Sequence, residues 1–245
     1  MGRLSPLAAA KRYVKREHPD CFAAFVAGSA ITDRSNRSSD LDLVVIDGRV
    51  EEPFQLNTFR YGWLIEAFVM TPSTYRDFFE EARKRAIPTL IRMCAEGQIV
   101  HGGDGAHQVQ REAARWLEEG PAEWSFVELD RARYELTECL IDLETPNIPE
   151  EEWYLVHQLN ELVTTFILRT RRAWGGIGKW RYRSLVAAAP GLADEWTGLL
   201  RQYYTHHHKQ PMIAFVDRLL APYGGRLQTG VMGLGKVKDH HENQG

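Results

Sequence analysis

Short apolar runs in the first hundred residues alternate with amphipathic segments, which is the pattern of a sheet flanked by helices. The apolar runs predict strands at residues 21–27, 40–46, 60–70 and 98–101. The spacing of apolar residues and the positions of proline and glycine predict helices at residues 6–17, 72–85 and 88–97, and a short helix within 29–39. Residues 49–59 are polar and contain Pro53, so they are predicted to form a link without regular structure.

From about residue 105 onward the apolar residues recur at helical spacing, and the strand pattern disappears. Helices are predicted at residues 106–119, 121–144, 150–174, 191–204 and 211–221. The change predicts an α+β fold, with a small mixed β-sheet and flanking helices over residues 1–104 and an all-helical domain over 105–223. Residues 224–245 are rich in Gly, His, Lys and Asp and are expected to form a flexible tail. A cleft between two such domains is a common place for a binding site.

Composition narrows the function without identifying it. The 245 residues are 44% hydrophobic and 26% charged, as in ordinary globular domains, and the net charge of -3 gives no bulk attraction to nucleic acid or to a membrane. No apolar run reaches membrane-spanning length and the first residues do not resemble a signal peptide, so a cytoplasmic location is expected. Three well-separated cysteines are predicted to be reduced core residues, namely Cys21, Cys94 and Cys139.

The most informative candidate chemistry lies between the first two predicted strands. Gly28 and Ser29 end an apolar run and predict a tight turn whose backbone N–H groups are suited to holding an anion. Asp40 and Asp42 open the next run, and residues two apart on a strand point to the same face. Two adjacent carboxylates repel each other unless a cation lies between them. The pair therefore indicates a site for a metal-bound phosphate. The alternative is that both residues are solvated at the start of a strand, but the apolar residues that flank them argue against it.

A third carboxylate, Glu66, lies inside the apolar strand predicted at residues 60–70. An isolated carboxylate in the core of a strand needs a partner, because burying an unpaired charge is costly. A metal shared with Asp40 and Asp42 is one candidate partner, and a structural ion pair with an arginine is the other.

These residues together resemble a known superfamily. The sequence Gly28-Ser29, ten intervening residues, Asp40-Leu41-Asp42 and a later strand carboxylate is similar to the nucleotidyltransferases that share the catalytic fold of DNA polymerase beta. The helical second half resembles the bacterial antibiotic-type branch, which includes the kanamycin, streptomycin and lincosamide nucleotidyltransferases. The motif resemblance covers roughly residues 20–100, and over 105–222 the likeness is only architectural.

The resemblance implies a role for each matched residue. Gly28 and Ser29 would hold a nucleoside triphosphate through backbone N–H groups and the serine hydroxyl. Asp40 and Asp42 would bind Mg²⁺, and Glu66 would be either a ligand of a second Mg²⁺ or the base that takes the acceptor's proton. Two such ions favour in-line attack of a hydroxyl on the α-phosphorus, which transfers a nucleoside monophosphate and releases pyrophosphate.

Side chains outside this motif have two interpretations each. Arg37, in the connector, either meets phosphate or is a solvated loop residue. Lys179 and Arg181 follow a glycine-rich break, and they either contact the nucleotide from the helical domain or begin a surface helix. The run His206-His207-His208 looks like a metal tract, but adjacent helical residues diverge by about 100°, so the three are not expected to ligate one ion.

The leading hypothesis is a Mg²⁺-dependent nucleotidyltransferase that moves AMP from ATP to a hydroxyl of a small molecule, with aminoglycoside-type antibiotics among the candidate acceptors. The helical domain is expected to bind that acceptor. Two alternatives stay open: adenylylation of a protein or RNA, as in antitoxin-like minimal nucleotidyltransferases, and a nucleotide-binding sensor without catalysis. The large helical domain favours a small acceptor. The absence of a strongly basic surface disfavours RNA, and the presence of all three carboxylates argues against a sensor.

Overall fold

The computed structural model describes residues 3–31, 39–145 and 148–229, and the chain divides into two compact units. The first, Met1–Ala122, contains a mixed β-sheet with helices and is called the sheet unit below. The second, Glu123–Gly245, is the helical unit, because all its described elements are helical. The α+β class predicted from the sequence is confirmed. The division comes later than residue 104 because the helix at Gly103–Glu119 packs against the sheet and its neighbouring helices.

Among the described residues, five strands form the sheet: β1 (Ala23–Ala27), β2 (Leu41–Ile46), β3 (Phe54–Arg60), β4 (Trp63–Met70) and β5 (Gln98–His101). Their order across the sheet is β3-β4-β2-β1-β5. Strands β2 and β4 run parallel, and the other neighbouring pairs are antiparallel. Strand β1 is buried along its whole length and β2 nearly so, which explains why each reads as an unbroken apolar run in the sequence.

Helices of the sheet unit pack against the sheet and determine which side of each strand is buried. They are α1 (Pro6–Glu17), α2 (Tyr75–Arg85), α3 (Thr89–Glu96) and α4 (Gly103–Glu119). Helix α1 buries Tyr13 and Val14 in one cluster with Leu41 and Leu43 of β2. Full burial of an aliphatic or aromatic side chain contributes about 1.5–3 kcal/mol, so this cluster fixes the orientation of β2. Residues of β2 with the opposite parity, including Asp42, therefore point to the other face.

The segment predicted as an irregular polar link is in fact strand β3, so that prediction is wrong. β3 is an edge strand, and most of its residues are exposed, which removes the apolar alternation that would have marked it. It joins β4 through a tight hairpin at Tyr61 and Gly62, whose φ values are 55° and 84°. Positive φ at both central residues is what a type I′ hairpin turn requires.

Two helices predicted in the first half of the chain have different bounds in the structure. Helix α2 begins at Tyr75 rather than at Pro72, because residues 71–74 form a separate turn. In that turn the Thr71 hydroxyl accepts the backbone N–H of Thr74 at 3.1 Å. The short helix expected within 29–39 is a single 3-10 turn at Ser29–Ile31, and residues 32–38 lie outside the described part of the chain.

The described part of the helical unit consists of α5 (Phe126–Glu144), α6 (Pro149–Thr170), α7 (Lys179–Ala188), α8 (Pro190–His206) and α9 (Gln210–Leu220), with a short 3-10 turn after α9. Helix α5 begins five residues later than Pro121, at a capping box between Ser125 and Glu128. Trp196 is fully buried and donates its indole N–H to Asn160 Oδ1 at 2.9 Å. None of the described helices combines the length and the apolar content needed to cross a membrane.

Part of the segment expected to be a flexible tail is held against the helical unit. Arg226 donates to Asp217 and Glu144, with nitrogen–oxygen distances of 2.6–2.9 Å. The backbone N–H of Leu227 donates to Thr137 Oγ1 at 2.9 Å. The expectation of a loose segment from residue 224 is therefore wrong for these residues, and 230–245 lie outside the described part.

Candidate active site

Three carboxylates meet at one place on the sheet. Asp42 of β2 and Glu66 of β4 are direct partners in the parallel ladder, and Asp40 immediately precedes β2. One oxygen from each of Asp40, Asp42 and Glu66 lies within 4.8 Å of the others, and all three residues are partly exposed. At that separation each pair of ionised carboxylates repels by about 3–4 kcal/mol at an effective dielectric constant near 20. A divalent cation would offset this repulsion.

The donor set fits a magnesium ion. Mg²⁺ binds hard oxygen ligands at about 2.1 Å, so two oxygens that share one ion would be at most about 4.2 Å apart. One oxygen of each carboxylate lies within 4.8 Å of the others, which is close to that separation. Partial exposure leaves room for the water molecules that Mg²⁺ keeps in proteins. Asp40, Asp42 and Glu66 are therefore the residues that would hold the ion.

Gly28 allows the carboxylate of Asp42 to lie against the backbone. Its φ of 82° is in the left-handed region, and a Cβ at this position would lie only 1.9 Å from Asp42 Oδ2. Ala27, the preceding residue, pairs with Asp42 across the β1–β2 ladder. Glycine is thus required here both for the backbone conformation and for the space that the Asp42 carboxylate occupies.

Ser29 begins the turn that follows Gly28, and its hydroxyl donates to the hydroxyl of Ser39 at 3.1 Å. Ser39 is buried and immediately precedes Asp40. The hydrogen bond therefore joins the two ends of the connector between β1 and β2. It also places the turn that was predicted to bind an anion next to the carboxylates that were predicted to bind metal.

Gln55 is a site residue that the sequence prediction missed. Its side-chain amide donates to Glu66 Oε1 at 2.5 Å, across the antiparallel β3–β4 pair. Asn57, two residues along β3, lies directly opposite Glu66 in the ladder. Residues 49–59 were predicted to lack regular structure, so neither side chain was assigned to the site. Recognition of the β-hairpin turn at Tyr61-Gly62 would have paired this strand with β4.

The alternative interpretation of Glu66, an ion pair with an arginine, does not hold among the described residues. Its hydrogen-bond partner is the neutral amide of Gln55, and no described cation lies within ion-pairing distance. Within the described ranges, Glu66 thus lies beside Asp42 without an arginine or lysine paired to it. This supports the interpretation of Glu66 as a metal ligand or a base.

The structure describes two of the three cationic residues that were predicted to contact the nucleotide. Lys179 and Arg181 begin α7 in the helical unit, where Lys179 is exposed and Arg181 forms an ion pair with Glu161 at 2.6 Å. The surface-helix interpretation of this segment agrees with the observed helix, and a nucleotide contact stays a prediction. Arg37 lies outside the described residues.

The histidine run does not form a metal site with other described residues. Within the described ranges, Asp40, Asp42 and Glu66 are the only group of three such side chains close enough to share an ion. His207 ends α8 in the left-handed conformation, with a φ of 56°. The rings of His206 and His208 are 5.7 Å apart, tilted against each other.

A buried ionic cluster anchors the other end of β2. Asp47 follows the strand and is almost fully buried. It accepts hydrogen bonds from the Arg49 side chain at 3.1–3.2 Å and from His18 Nδ1 at 2.8 Å. The Arg49 hydrogen bond outweighs the opposing effect of burial and, with the His18 bond, holds the pKa of Asp47 well below its usual range. The cluster therefore stabilises the strand that carries Asp42.

Comparisons with known proteins support the fold. No protein-family model and no curated protein matches this sequence. Among solved structures, a nucleotidyltransferase-like protein from Exiguobacterium sibiricum matches with a TM-score of 0.50 and 12% identity. The match covers 87% of this chain and 74% of that one. At this identity the likeness shows the fold alone.

Proposed function

We propose that this protein is a Mg²⁺-dependent nucleotidyltransferase that transfers AMP from ATP to a hydroxyl group of a small molecule. The observation that carries the proposal is the convergence of Asp40, Asp42 and Glu66, with oxygens within 4.8 Å, beside the turn at Gly28 and Ser29. The nucleotidyltransferase-like fold supports the same chemistry. ATP and the small acceptor are our inferences from the sequence resemblance.

The residues of the candidate site have separate roles in the proposed reaction. Asp40, Asp42 and Glu66 hold the metal, and the turn at Gly28 and Ser29 binds the triphosphate through backbone N–H groups. When bound, Mg²⁺ neutralises phosphate charge and lowers the pKa of a coordinated hydroxyl. Gln55 occupies one oxygen of Glu66 and so fixes the direction in which the other oxygen points. Glu66 is thereby oriented either to coordinate the metal or to accept the acceptor's proton.

We infer that the helical unit binds the acceptor. Its aromatic side chains include several that are substantially exposed, among them Trp153, Tyr154 and Tyr182. Exposed aromatic rings supply apolar contact with a polar tip, which suits a ligand of mixed polarity. A hydroxyl-rich aminoglycoside-type molecule belongs in the first acceptor panel for this reason and because of the sequence resemblance to the antibiotic-type branch.

Pyrophosphate release tests the proposal. Purified protein is incubated with Mg²⁺, each of the four nucleoside triphosphates and a panel of hydroxyl-bearing acceptors that includes aminoglycosides. We expect acceptor-dependent release with ATP, and loss of at least about 100-fold in Asp42→Asn. Glu51→Gln, which removes one exposed carboxylate charge from the same unit, is the matched control and should retain activity. Equal turnover by Asp42→Asn and the unaltered protein would refute the proposal.

A further inference from the structure

A second charged groove lies in the sheet unit, away from the three carboxylates. It runs between α2 and α4, has a volume of about 660 Å³, and is lined by Arg76, Gln108, Arg111, Glu112 and Arg115 together with Ala114. Its volume lies in the range of small-molecule sites. None of Asp40, Asp42 and Glu66 lines it, so the groove is separate from the proposed metal site.

A buried network holds one wall of the groove in place. Glu112 is only 8% exposed and accepts hydrogen bonds from Arg76 at 2.7 and 2.9 Å and from the Tyr75 hydroxyl at 2.9 Å. Burial, and then the bond to Glu112, raise the pKa of Tyr75 to about 12, so its hydroxyl remains a donor at neutral pH. The carboxylate of Glu112 is therefore occupied by Arg76 and Tyr75, and it orients the Arg76 guanidinium at the groove.

Two further guanidiniums at the groove belong to α4, and one of them, Arg115, lies near enough to Glu112 to help lower the pKa of its carboxyl. Arg111 and Arg115 lie four residues apart on α4, a spacing that places them on the same face of the helix. Neither makes a hydrogen bond or an ion pair with any residue in the described ranges. Glu112 is the single carboxylate that lines the groove against three arginines, so the lining carries an excess positive charge of two. Like charges at this spacing destabilise a helix unless an anion lies between them.

We propose that this groove binds a small phosphorylated ligand with at least two negative charges. Guanidinium groups bind phosphate oxygens through paired, charge-assisted hydrogen bonds, and the net positive charge of the lining matches the charge of such a ligand. Arg76 is already oriented by Glu112, so it can take part without losing further side-chain freedom. Gln108, one helical turn before Arg111 and Glu112, adds an uncharged amide for a hydroxyl or a phosphate oxygen.

Calorimetric titration with inorganic pyrophosphate tests this site. The buffer contains EDTA, so that metal-dependent binding at Asp40, Asp42 and Glu66 makes no contribution. Sodium chloride at equal ionic strength replaces pyrophosphate in a parallel titration. We expect saturable binding of pyrophosphate, at least about tenfold weaker in Arg111→Gln/Arg115→Gln. Both residues are exposed and the substitutions remove their mutual repulsion, so the thermal midpoint of the ligand-free variant should not fall.

The matched control is Lys11→Gln/Lys15→Gln, which removes the same charge at the same spacing from exposed positions of α1. It should bind pyrophosphate as the unaltered protein does. Equal weakening by both double variants, or an equal response to chloride, would show a bulk charge effect and overturn the proposal. Asp42→Asn should retain pyrophosphate binding in EDTA, so this site can be established or rejected whatever the outcome for the transferase activity.

Discussion

Replacing Gly28 by alanine should disable the metal site without unfolding the protein. A Cβ at this position would lie 1.9 Å from Asp42 Oδ2 and 2.9 Å from Asp42 Cγ, whereas ordinary contacts begin near 3.4 Å. The carboxylate must therefore move by about 1.5 Å, or the turn must move away from it. A displacement of about 1 Å in a catalytic group costs on the order of 100-fold in rate.

The same substitution carries a backbone cost. Gly28 has a φ of 82°, and a residue with a Cβ in this left-handed region lowers the stability of the fold by about 1–2 kcal/mol. For a chain of this size, that corresponds to a fall in thermal midpoint of about 2–8 °C. The substitution should therefore cause a modest loss of stability together with a large loss of metal affinity.

Mn²⁺ replaces Mg²⁺ in the assay, because the free ion is measured directly by electron paramagnetic resonance. We expect Gly28→Ala to bind Mn²⁺ at least about tenfold more weakly than the unaltered protein. Gly48→Ala is the matched control: its Cβ would meet Pro72 Cγ at an ordinary 3.8 Å, and its φ is not positive. If Gly28→Ala bound Mn²⁺ with unchanged affinity and melted at an unchanged temperature, the inferred contact between Gly28 and Asp42 would be wrong.

Three further predictions follow from hydrogen bonds in the structure. Gln55→Leu removes the donor to Glu66 and should weaken Mn²⁺ binding by about 10–100-fold with little change in thermal midpoint; unchanged affinity would exclude the orienting role. The pKa of Asp47 is lowered mainly by Arg49, so its ionised form stabilises the fold above about pH 5, and this contribution is lost as pH falls below about 4. The free energies of unfolding of Asp47→Asn and the unaltered protein, measured in urea, should therefore differ less at pH 3 than at pH 7. Ser125→Ala removes the capping box of α5 and should lower the free energy of unfolding by about 0.5–2 kcal/mol in denaturant titrations, where no change would show that the cap is not stabilising.

Strong local patterns explain why much of the fold was predictable. The central strands are covered on both faces, so they appear as apolar runs, and α1 shows a clear amphipathic face. Edge strand β3 is exposed over most of its length, so its residues carry no such pattern. The helix starts predicted at Pro72 and Pro121 lie before the observed starts, because proline is also favoured in the turns that precede helices.

The sequence by itself determined the chemistry of the candidate site: Gly28 and Ser29 at a turn, and carboxylates at Asp40, Asp42 and Glu66. Side-chain parity along a strand is a local property, so the shared face of Asp40 and Asp42 could be read from their spacing. Only the tertiary structure decided that Glu66 joins them, because strand pairing sets which residues of β2 and β4 are neighbours. Pairing also brought Gln55 to Glu66, and helix packing brought Arg76 of α2 beside α4. Contacts between residues distant in the chain depend on register and packing, which no local pattern encodes.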